Sequence, residues 1–326
     1  LFAVFEENRQ AVVTVYAAHE PARPDGRASH FAGTGFFVSK DGHILTTANI
    51  VNGADRLWFE RDGIGYLAQV VGSDTVTNVA IIQAKARPEN IQHLRFDAET
   101  TRPPVGQLVL ALTSELGMPP GPSLGLINGH NIRYGQRMLP TVYLRSDIPL
   151  DGGEGGGPVF DLDGNFIGMA MISLPETRGC FILPAAALAR IRDDILFSGE
   201  VRFAHFGFAT VPRTPNGGAE GVTVDTVEPG GPAEAAGLQP GDRLTQVGDR
   251  PIRHEADLRE AAFFARPGRR LTLLVARGDE GTEHPLTMET GNRSAPPMVA
   301  PPLRPTPPTT DATDAAAAEP AADTNN

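Results

Sequence analysis

The sequence contains one cysteine, one tryptophan and no long apolar run. The single cysteine, Cys180, excludes an intrachain disulfide, and the apolar run CFIL at residues 180–183 predicts a buried, unreactive thiol. No stretch reaches the roughly 18–20 apolar residues that a membrane-spanning helix needs. Because the chain begins at Leu1, this absence does not decide whether a signal or anchor segment precedes it.

Basic residues are scarce relative to acidic ones. The 326 residues include 28 Lys and Arg against 39 Asp and Glu, which gives a formal net charge of −11 and an isoelectric point near 5.2. A chain with this charge is repelled by phosphate backbones and by anionic lipid surfaces. We therefore expect no nucleic-acid partner.

Sequence motifs for metals and cofactors are missing. No His or Cys residues have the spacing of a zinc site. The acidic residues Asp147, Asp151 and Glu154 lie close together without the fixed spacing of a calcium loop, so they predict a solvated loop face. We expect no cofactor.

Glycine and proline, by contrast, are abundant, with 36 and 29 residues, and this composition favours β structure over helix. Between residues 12 and 183, about twelve short apolar or alternating runs are separated by turn sequences such as KDG at residues 40–42. This number of strands suits two six-stranded barrels. The predicted fold is therefore mainly β.

The pattern changes after the last of these runs. Residues 185–197 have the apolar spacing of an amphipathic helix, which closes a first domain predicted as residues 1–198. A linker at residues 199–204 leads to a second, α+β domain at residues 205–290. Residues 291–326 are dominated by Pro, Ala and Thr without apolar periodicity, so they are predicted to be a disordered tail.

Four segments line up in order with one protein family. Residues 33–51 read GTGFFVSKDGHILTTANIV, residues 71–82 read VGSDTVTNVAII, and residues 145–158 read RSDIPLDGGEGGGP. Residues 221–242 read GVTVDTVEPGGPAEAAGLQPGD. Their motifs and spacing resemble those of HtrA/DegP-type serine proteases over roughly residues 1–290. The resemblance implies a trypsin-like domain of two β-barrels followed by a PDZ domain.

The three catalytic positions of that family carry other residues in this chain. Asn49 stands where the resemblance implies the catalytic histidine, Asn78 where it implies the orienting aspartate, and Gly155 where it implies the nucleophilic serine. An amide accepts no proton near neutral pH, and glycine has no side chain. The sequence therefore predicts a protease homologue that is not an enzyme, because base, orienting acid and nucleophile are all absent.

The oxyanion hole of that family is built from backbone N–H groups rather than side chains. The resemblance implies that Gly153 and Gly155 carry these donors, and we interpret them as a remnant of the hole.

A relocated triad is the enzymatic alternative for the first domain. Ser146, Ser173, His43 and His130 supply hydroxyl and imidazole groups there. We interpret them as strand-end and hairpin residues. A serine hydroxyl hydrogen-bonded to an imidazole beside residues 153–155 would overturn this interpretation.

Phe206, Gly207 and Phe208 belong to the sequence HFGF, which resembles the loop with which PDZ domains bind the terminal carboxylate of a peptide. The resemblance implies that a peptide adds there as a β-strand. Leu258 and Ala262, four residues apart on the predicted helix, then face the pocket for the last peptide side chain. The alternative is that these two residues only pack the domain core.

Three functions are open on the sequence alone. The intact PDZ motif favours an inactive HtrA-like protein that binds peptide C-termini or unfolded protein segments as an adaptor, a chaperone-like protein or a regulatory scaffold. The second function is an active endopeptidase of protein quality control that uses other residues.

The third function is architectural, and it rests on the resemblance. Family members often form trimers through aromatic residues near the N-terminus, for which Phe2 and Phe5 are the candidates here. The chain would then form a homotrimer or pair with active paralogues. The resemblance also implies a periplasmic or cell-envelope location.

Overall fold

The computed structural model describes residues 1–19, 29–97, 102–114, 118–150, 155–174, 179–211, 221–278 and 282–293. It is mainly β, with two closed six-stranded barrels followed by a PDZ domain, and the predicted fold class is confirmed. In the described part of the chain, no helix is long and apolar enough to cross a membrane.

The first barrel follows a short N-terminal helix, α1 (Phe2–Asn8), and one 3₁₀ turn (Arg9–Ala11). Its strands are β1 Val12–His19, β2 Ser29–Phe37, β3 His43–Thr47, β4 Arg56–Arg61, β5 Ile64–Asp74 and β6 Val79–Ala84. They close in the antiparallel order β1-β2-β3-β6-β5-β4 around Phe37, Ile44 and Phe59. Helix α2 (Ala48–Val51) follows β3 without a loop, so β3 fixes its position.

The second barrel has the same construction. Its strands are β7 Leu108–Thr113, β8 Gly121–Tyr134, β9 Arg137–Ser146, β10 Pro158–Asp161, β11 Phe166–Leu174 and β12 Gly179–Pro184. They close in the order β10-β11-β12-β9-β8-β7. Cys180 is fully buried inside this barrel, as its apolar neighbours predicted.

Helix α3 (Ala185–Ser198) closes the first domain, as its apolar spacing predicted. It ends where Gly199 adopts a left-handed conformation with φ of 77°, which glycine tolerates at a helix C-terminus. Leu188 and Ile191 pack on Phe36 and Phe160 in a core cluster that joins both barrels.

The second domain is a twisted sheet with two helices. Its strands are β13 Phe203–His205, β14 Phe208–Thr210, β15 Val222–Val227, β16 Arg243–Val247, β17 Arg250–Pro251, β18 Arg270–Arg277, β19 Thr282–Glu289 and β20 Gly291–Arg293. Its helices are α4 Pro232–Ala235 and α5 Glu255–Phe264. The sheet order is β14-β15-β16-β18-β19, and β13 pairs with β20 beside it.

The pairing of β13 with β20 corrects two predicted boundaries. Residues 203 and 204, assigned to a linker, and residues 291–293, assigned to the disordered tail, form this two-stranded sheet. Strand pairing forms hydrogen bonds between backbone groups, whichever side chains the residues carry. The amino-acid composition of these segments therefore does not predict the pairing. The rest of the predicted tail, residues 294–326, lies outside the described residues.

The two domains are joined by a cluster around Arg190, called here the Arg190 clasp and defined by Arg190, Asp194, Phe203, Phe263 and Arg266. The Arg190 guanidinium lies 5.1 Å from the ring centroid of Phe203 and 4.8 Å from that of Phe263. Its Asp194 partner also pairs with Arg266 of the second domain. The Arg190 side chain is 2% exposed, and this burial lowers its pKa to about 10, so it stays charged near neutral pH.

Candidate functional site

Asn49 and Asn78 are hydrogen-bonded to each other at the end of the first barrel. Asn49 is the second residue of α2, and Asn78 immediately precedes β6. The Asn49 backbone N–H donates to Asn78 Oδ1 at 2.8 Å, and Asn78 Nδ2 donates to Asn49 Oδ1 at 3.3 Å. The two amides therefore satisfy each other, and neither is a proton acceptor near neutral pH.

Asp74 holds the turn that presents Asn78. Its buried carboxylate accepts hydrogen bonds from the backbone N–H groups of Val76 and Thr77, at 3.2 and 2.9 Å, and from the Thr77 hydroxyl at 2.5 Å. Burial raises the pKa of Asp74 above its ordinary value although these bonds act to lower it. Asn78 itself has φ of 61°, a left-handed conformation that asparagine adopts more readily than most residues.

Gly155 lies across the cleft from α2. Its carbonyl oxygen accepts the backbone N–H of Thr34 at 3.1 Å, which ties it to β2 of the first barrel. A Cβ atom built on Gly155 would lie 3.4 Å from the Met171 carbonyl oxygen and 3.6 Å from Thr47 Cγ2, which are ordinary contacts. Thr47 precedes Ala48 and Asn49, so the position of Gly155 faces the start of α2.

The neighbouring Gly156 is different, because the backbone requires glycine there. Its φ is 102°, and a Cβ atom would lie only 2.1 Å from the Thr34 carbonyl oxygen. Gly155 is thus free to carry a small side chain, whereas Gly156 is not. Gly153, the other predicted oxyanion donor, lies outside the described residues.

A serine and a histidine are hydrogen-bonded in the described part of the chain, but they lie at the start of β3, whereas the cleft lies at its end. Ser39 Oγ and His43 Nδ1 are 2.8 Å apart, and Ser39 also accepts the backbone N–H of Asp41 in the β2–β3 hairpin. Burial lowers the pKa of His43. Because β3 runs from His43 to Thr47, about 13 Å separates His43 from the cleft at Gly155.

Two other candidates for a relocated triad, Ser146 and His130, have backbone partners, and Ser173 lies on β11 opposite Cys180 of β12. Ser146 is buried, and its hydroxyl accepts the backbone N–H of Ile148 at 3.2 Å. His130 Nε2 lies 2.9 Å from the Pro103 carbonyl oxygen. These contacts are those of strand-end and hairpin residues.

Of the three acidic loop residues, the structure describes Asp147, and its side chain makes a structural contact. Asp147 Oδ1 accepts the backbone N–H of Leu126 at 2.6 Å, which joins the end of β9 to β8. Asp151 and Glu154 lie outside the described residues. Asp147 therefore supports the barrel.

The predicted PDZ loop lies between β13 and β14. Gly207 has φ of 75°, and its carbonyl oxygen accepts the backbone N–H of Glu228 at 2.8 Å. The rings of Phe206 and Phe208 stack with centroids 6.0 Å apart. Among the described residues, the strand β14 that follows is the last of its sheet and pairs with β15 alone.

Helix α5 faces this loop across the domain core. Leu258 is buried and Ala262 is half-buried, and both pack in the cluster that contains Phe206 and Phe208. The side chain of Asp257 accepts the backbone N–H of His254 at 2.9 Å and fixes the start of the helix. Four of the five predicted peptide-binding residues, Phe206, Phe208, Leu258 and Ala262, pack in one cluster, and Gly207 lies in the loop between the two phenylalanines.

The same helix also contacts the second barrel. Arg133 on β8 pairs with Glu255 at 3.2 Å, and Arg102 pairs with Glu260 at 2.7 Å. The helix that faces the PDZ loop is thereby held on the first domain.

Sequence reasoning missed a contact between two titratable side chains at the PDZ loop. His205 Nε2 lies 2.5 Å from Glu228 Oε2, although 23 positions separate the two residues in the chain. In the sequence, the contact is indicated only by one titratable residue in each of two PDZ motifs, His205 in HFGF and Glu228 in VEPGGP. The pairing itself depends on how the loop and the β15–α4 turn meet.

Two protein families match the chain. The trypsin-like peptidase domain matches residues 33–169, and the PDZ domain matches residues 223–277. A putative serine protease HhoB from Synechocystis sp. is 28% identical over 280 residues, covering 80% of this chain and 66% of that protein. A probable periplasmic serine endoprotease DegP-like from Halomonas elongata is 29% identical over 261 residues, covering 76% and 54%.

Solved structures show the same fold. The HtrA-type protease AlgW with a tripeptide has a TM-score of 0.74 at 24% sequence identity, covering 90% of this chain and 97% of that one. The serine endoprotease from Yersinia pestis has a TM-score of 0.63 at 23% identity, covering 89% and 97%. The chain spans between about half and two thirds of the length of the curated relatives it matches.

Proposed function

We propose that this chain, which has the trypsin-like peptidase domain and the PDZ domain of HtrA/DegP-type serine proteases, is a non-catalytic protein that binds peptides. Its ligands are peptide C-termini or unfolded protein segments, and its role is that of an adaptor, a chaperone-like protein or a regulatory scaffold. The observation that carries the proposal is the amide pair of Asn49 and Asn78 beside Gly155, in a chain whose PDZ loop keeps a glycine with φ of 75° at Gly207.

The inactivity follows from the groups present at the cleft. Acyl transfer needs a hydroxyl that attacks, an imidazole that takes its proton and a carboxylate that orients the imidazole. Asn49, Asn78 and Gly155 supply none of these three groups. Loss of the nucleophile or the base alone reduces turnover by about a millionfold in a well-studied protease of this mechanism.

The binding mode follows from the free edge of β14. A peptide that adds beside β14 forms backbone hydrogen bonds there, and its terminal carboxylate lies at the N–H groups of the loop at Phe206 and Gly207. Its last side chain packs on the apolar cluster beside the buried Leu258 and the half-buried Ala262. Apolar last residues are therefore preferred.

Location and assembly are proposed from the relatives and from the N-terminal helix. Relatives of this chain are named periplasmic endoproteases, which supports a periplasmic or cell-envelope location. Phe2 is 78% exposed on α1, whereas Phe5 packs on the barrel core. Phe2 is thus the better contact residue for a homotrimer or for an assembly with active paralogues, and the solution mass, measured alone and with such a paralogue, tests this.

An active endopeptidase is the second candidate, and the names of the relatives favour it, because they are called serine proteases or endoproteases. Covalent labelling of the pure chain by a fluorophosphonate probe separates the two candidates. Labelling that persists through repurification contradicts the non-catalytic proposal.

The binding proposal is tested with the full chain and a pool of fluorescent decapeptides that end in Ala, Val, Leu or Phe. We expect saturable binding by fluorescence anisotropy, together with no cleavage of the pool. Absence of any saturable binding contradicts the proposal.

A further inference from the structure

An acidic residue lies beside the centre of the PDZ loop. The backbone N–H of Glu228 donates to the Gly207 carbonyl oxygen at 2.8 Å, so the β15–α4 turn is fixed against the loop. A Cβ atom built on Gly207 would lie 3.5 Å from Glu228 Oε2. The Glu228 carboxylate therefore lies beside the loop whose backbone N–H groups would bind a peptide carboxylate.

One imidazole neutralises this carboxylate when it is protonated. His205 Nε2 lies 2.5 Å from Glu228 Oε2, and the two side chains are 38% and 56% exposed. Histidine is the side chain whose charge ordinarily changes between about pH 5 and 8. The charge of the pair is thus −1 when His205 is neutral and zero when it is protonated.

In the part of the chain that the structure describes, the groups next to the pair on β20, the β15–α4 turn and α4 are the following. Gly291 of β20 is the residue paired with His205, and it has no side chain. On the turn and α4, Glu234 uses its carboxylate to accept the backbone N–H of Gly230, and Pro232 packs against Gly207.

Helix α5 packs on β13 as well, through the contact of Phe263 with Phe203. Its acidic residues Glu255 and Glu260 are paired with arginines of the first domain. Their partners are thus arginines, whereas the partner of His205 is the Glu228 carboxylate.

We propose that His205 and Glu228 control the affinity of the PDZ groove for peptides with a free C-terminal carboxylate, so that these peptides bind best when His205 is protonated. This inference rests on the proposed peptide-binding function. Two carboxylates within about 6–8 Å at a partly exposed site repel each other, and we expect about a fivefold weaker affinity when His205 is neutral. An amidated peptide has no terminal charge and escapes this repulsion.

The experiment uses the full chain with the decapeptide pool described above, prepared once with free carboxylates and once as C-terminal amides. Dissociation constants are measured by anisotropy at about pH 8 and about pH 5.5, on either side of the histidine range. In the unmodified chain, we expect the carboxylate pool to bind about fivefold more tightly at the lower pH, relative to the amide pool.

Two variants assign the effect to the pair. Glu228→Gln should bind the carboxylate pool at the higher pH as tightly as the unmodified chain does at the lower pH, with little further change. His205→Gln should keep the weak affinity at both pH values, because Glu228 stays charged. Both side chains are partly exposed, and thermal unfolding checks that each variant is folded.

Glu283→Gln is the matched control, because it makes the same charge change at the opposite edge of the sheet, on β19. Glu283 lies at the start of β19, six residues before Glu289, and six rises of about 3.3 Å place it roughly 20 Å along the strand from β20, where Gly291 pairs with His205, which is beyond the screening length at physiological salt. It should leave the pH dependence unchanged.

The outcomes are distinguishable. If neither pool shows saturable binding at either pH, the proposed function and this inference both fail. If the pools bind but Glu228→Gln keeps the pH dependence of the unmodified chain, only the inference is overturned.

Discussion

Asn78 holds Asn49 by two contacts, one to its backbone N–H and one to its side-chain oxygen. An aspartate that orients a catalytic histidine accepts a hydrogen bond from the imidazole Nδ1–H. The amide pair thus has the spatial relationship of an orienting acid and its base, with neither charge nor basicity. The third position, Gly155, has room for a Cβ atom on the side of Thr47.

The first prediction is that the triple change Asn49→His, Asn78→Asp and Gly155→Ser creates protease activity. The three groups act as a unit, so we expect at least about a thousandfold more cleavage of an unfolded protein than by the unmodified chain. Cleavage of fluorescent casein and covalent fluorophosphonate labelling are the measurements.

The double change Asn49→His and Asn78→Asp is the control, since it supplies base and acid without a nucleophile. It should remain at background and unlabelled. A triple variant that folds yet stays inactive would mean that more than these three positions has been lost from the cleft.

Local signals predicted most of the fold. The alternation of apolar residues gave the barrel strands, and the KDG turn gave the β2–β3 hairpin. The turn before β6 was visible as VGSD followed by TN, because Asp74 caps it and Asn78 tolerates its positive φ. Family motifs added the cleft positions.

Contacts between distant segments were not predictable in this way. In the sequence, Arg190 is an ordinary residue of a predicted helix. In the fold, Phe203 and Phe263, which belong to two other elements, pack against its guanidinium. His205 and Glu228 meet only because the loop and the β15–α4 turn are hydrogen-bonded. Such pairs depend on tertiary placement, which single-sequence periodicity does not encode.

The second prediction concerns the PDZ loop. Gly207→Ala should weaken peptide binding at least about tenfold, because φ of 75° disfavours a side chain and its Cβ would lie 2.9 Å from Pro232 Cδ. Anisotropy with the carboxylate decapeptide pool measures the loss.

Gly230→Ala is the matched control for this change. Its φ is 73°, yet a Cβ there meets nothing within 4 Å, so it carries a similar backbone cost without the contact at the loop. Its affinity should stay within about threefold of the unmodified chain. Equal losses in both variants would show that general destabilisation, not the loop, weakens binding.

The third prediction is a pH dependence in the second domain. Asp242 is buried, and although burial acts to raise its pKa, two 2.7 Å hydrogen bonds from Arg277 and one from the Gln239 backbone keep the pKa below its ordinary value. The unfolded chain therefore takes up the proton first as pH falls. The stabilisation is complete above about pH 4, the ordinary range of Asp, and is lost as pH falls through the folded-state pKa.

Asp242→Asn should lower the stability of this domain by about 1.5–3 kcal/mol near neutral pH and should remove this acid-dependent loss. Hydrogen exchange of residues 221–278 in the full chain measures it. Trp58, the single tryptophan, lies on β4, so its fluorescence follows the first barrel and should not change.

Asp225→Asn, an exposed position on β15, makes the same charge change and should have little effect. The same acid dependence in Asp242→Asn as in the unmodified chain would contradict the assignment.

The fourth prediction tests the Arg190 clasp. Arg190→Ala removes two ring contacts, a 2.7 Å hydrogen bond to the Arg202 carbonyl oxygen and the ion pair with Asp194. We expect a loss of about 2–4 kcal/mol, because buried cation contacts with aromatic rings and a buried ion partner disappear together. Urea unfolding measures this loss.

We also expect Arg190→Ala to change the shape of the protein, because the Arg190 clasp joins α3 of the first domain to β13 and α5 of the second. In Arg190→Ala, the pair of Asp194 with Arg266 and the apolar packing of Phe203 and Phe263 lose the charged group between them. The other pairs between the domains, Arg133 with Glu255 and Arg102 with Glu260, are partly exposed and contribute little each. Small-angle scattering should therefore give a larger radius of gyration for Arg190→Ala. Arg270→Ala, whose guanidinium side chain is 78% exposed, is the matched control and should change neither quantity. A destabilised Arg190→Ala with unchanged dimensions would mean that Arg190 stabilises α3 alone and does not join the domains.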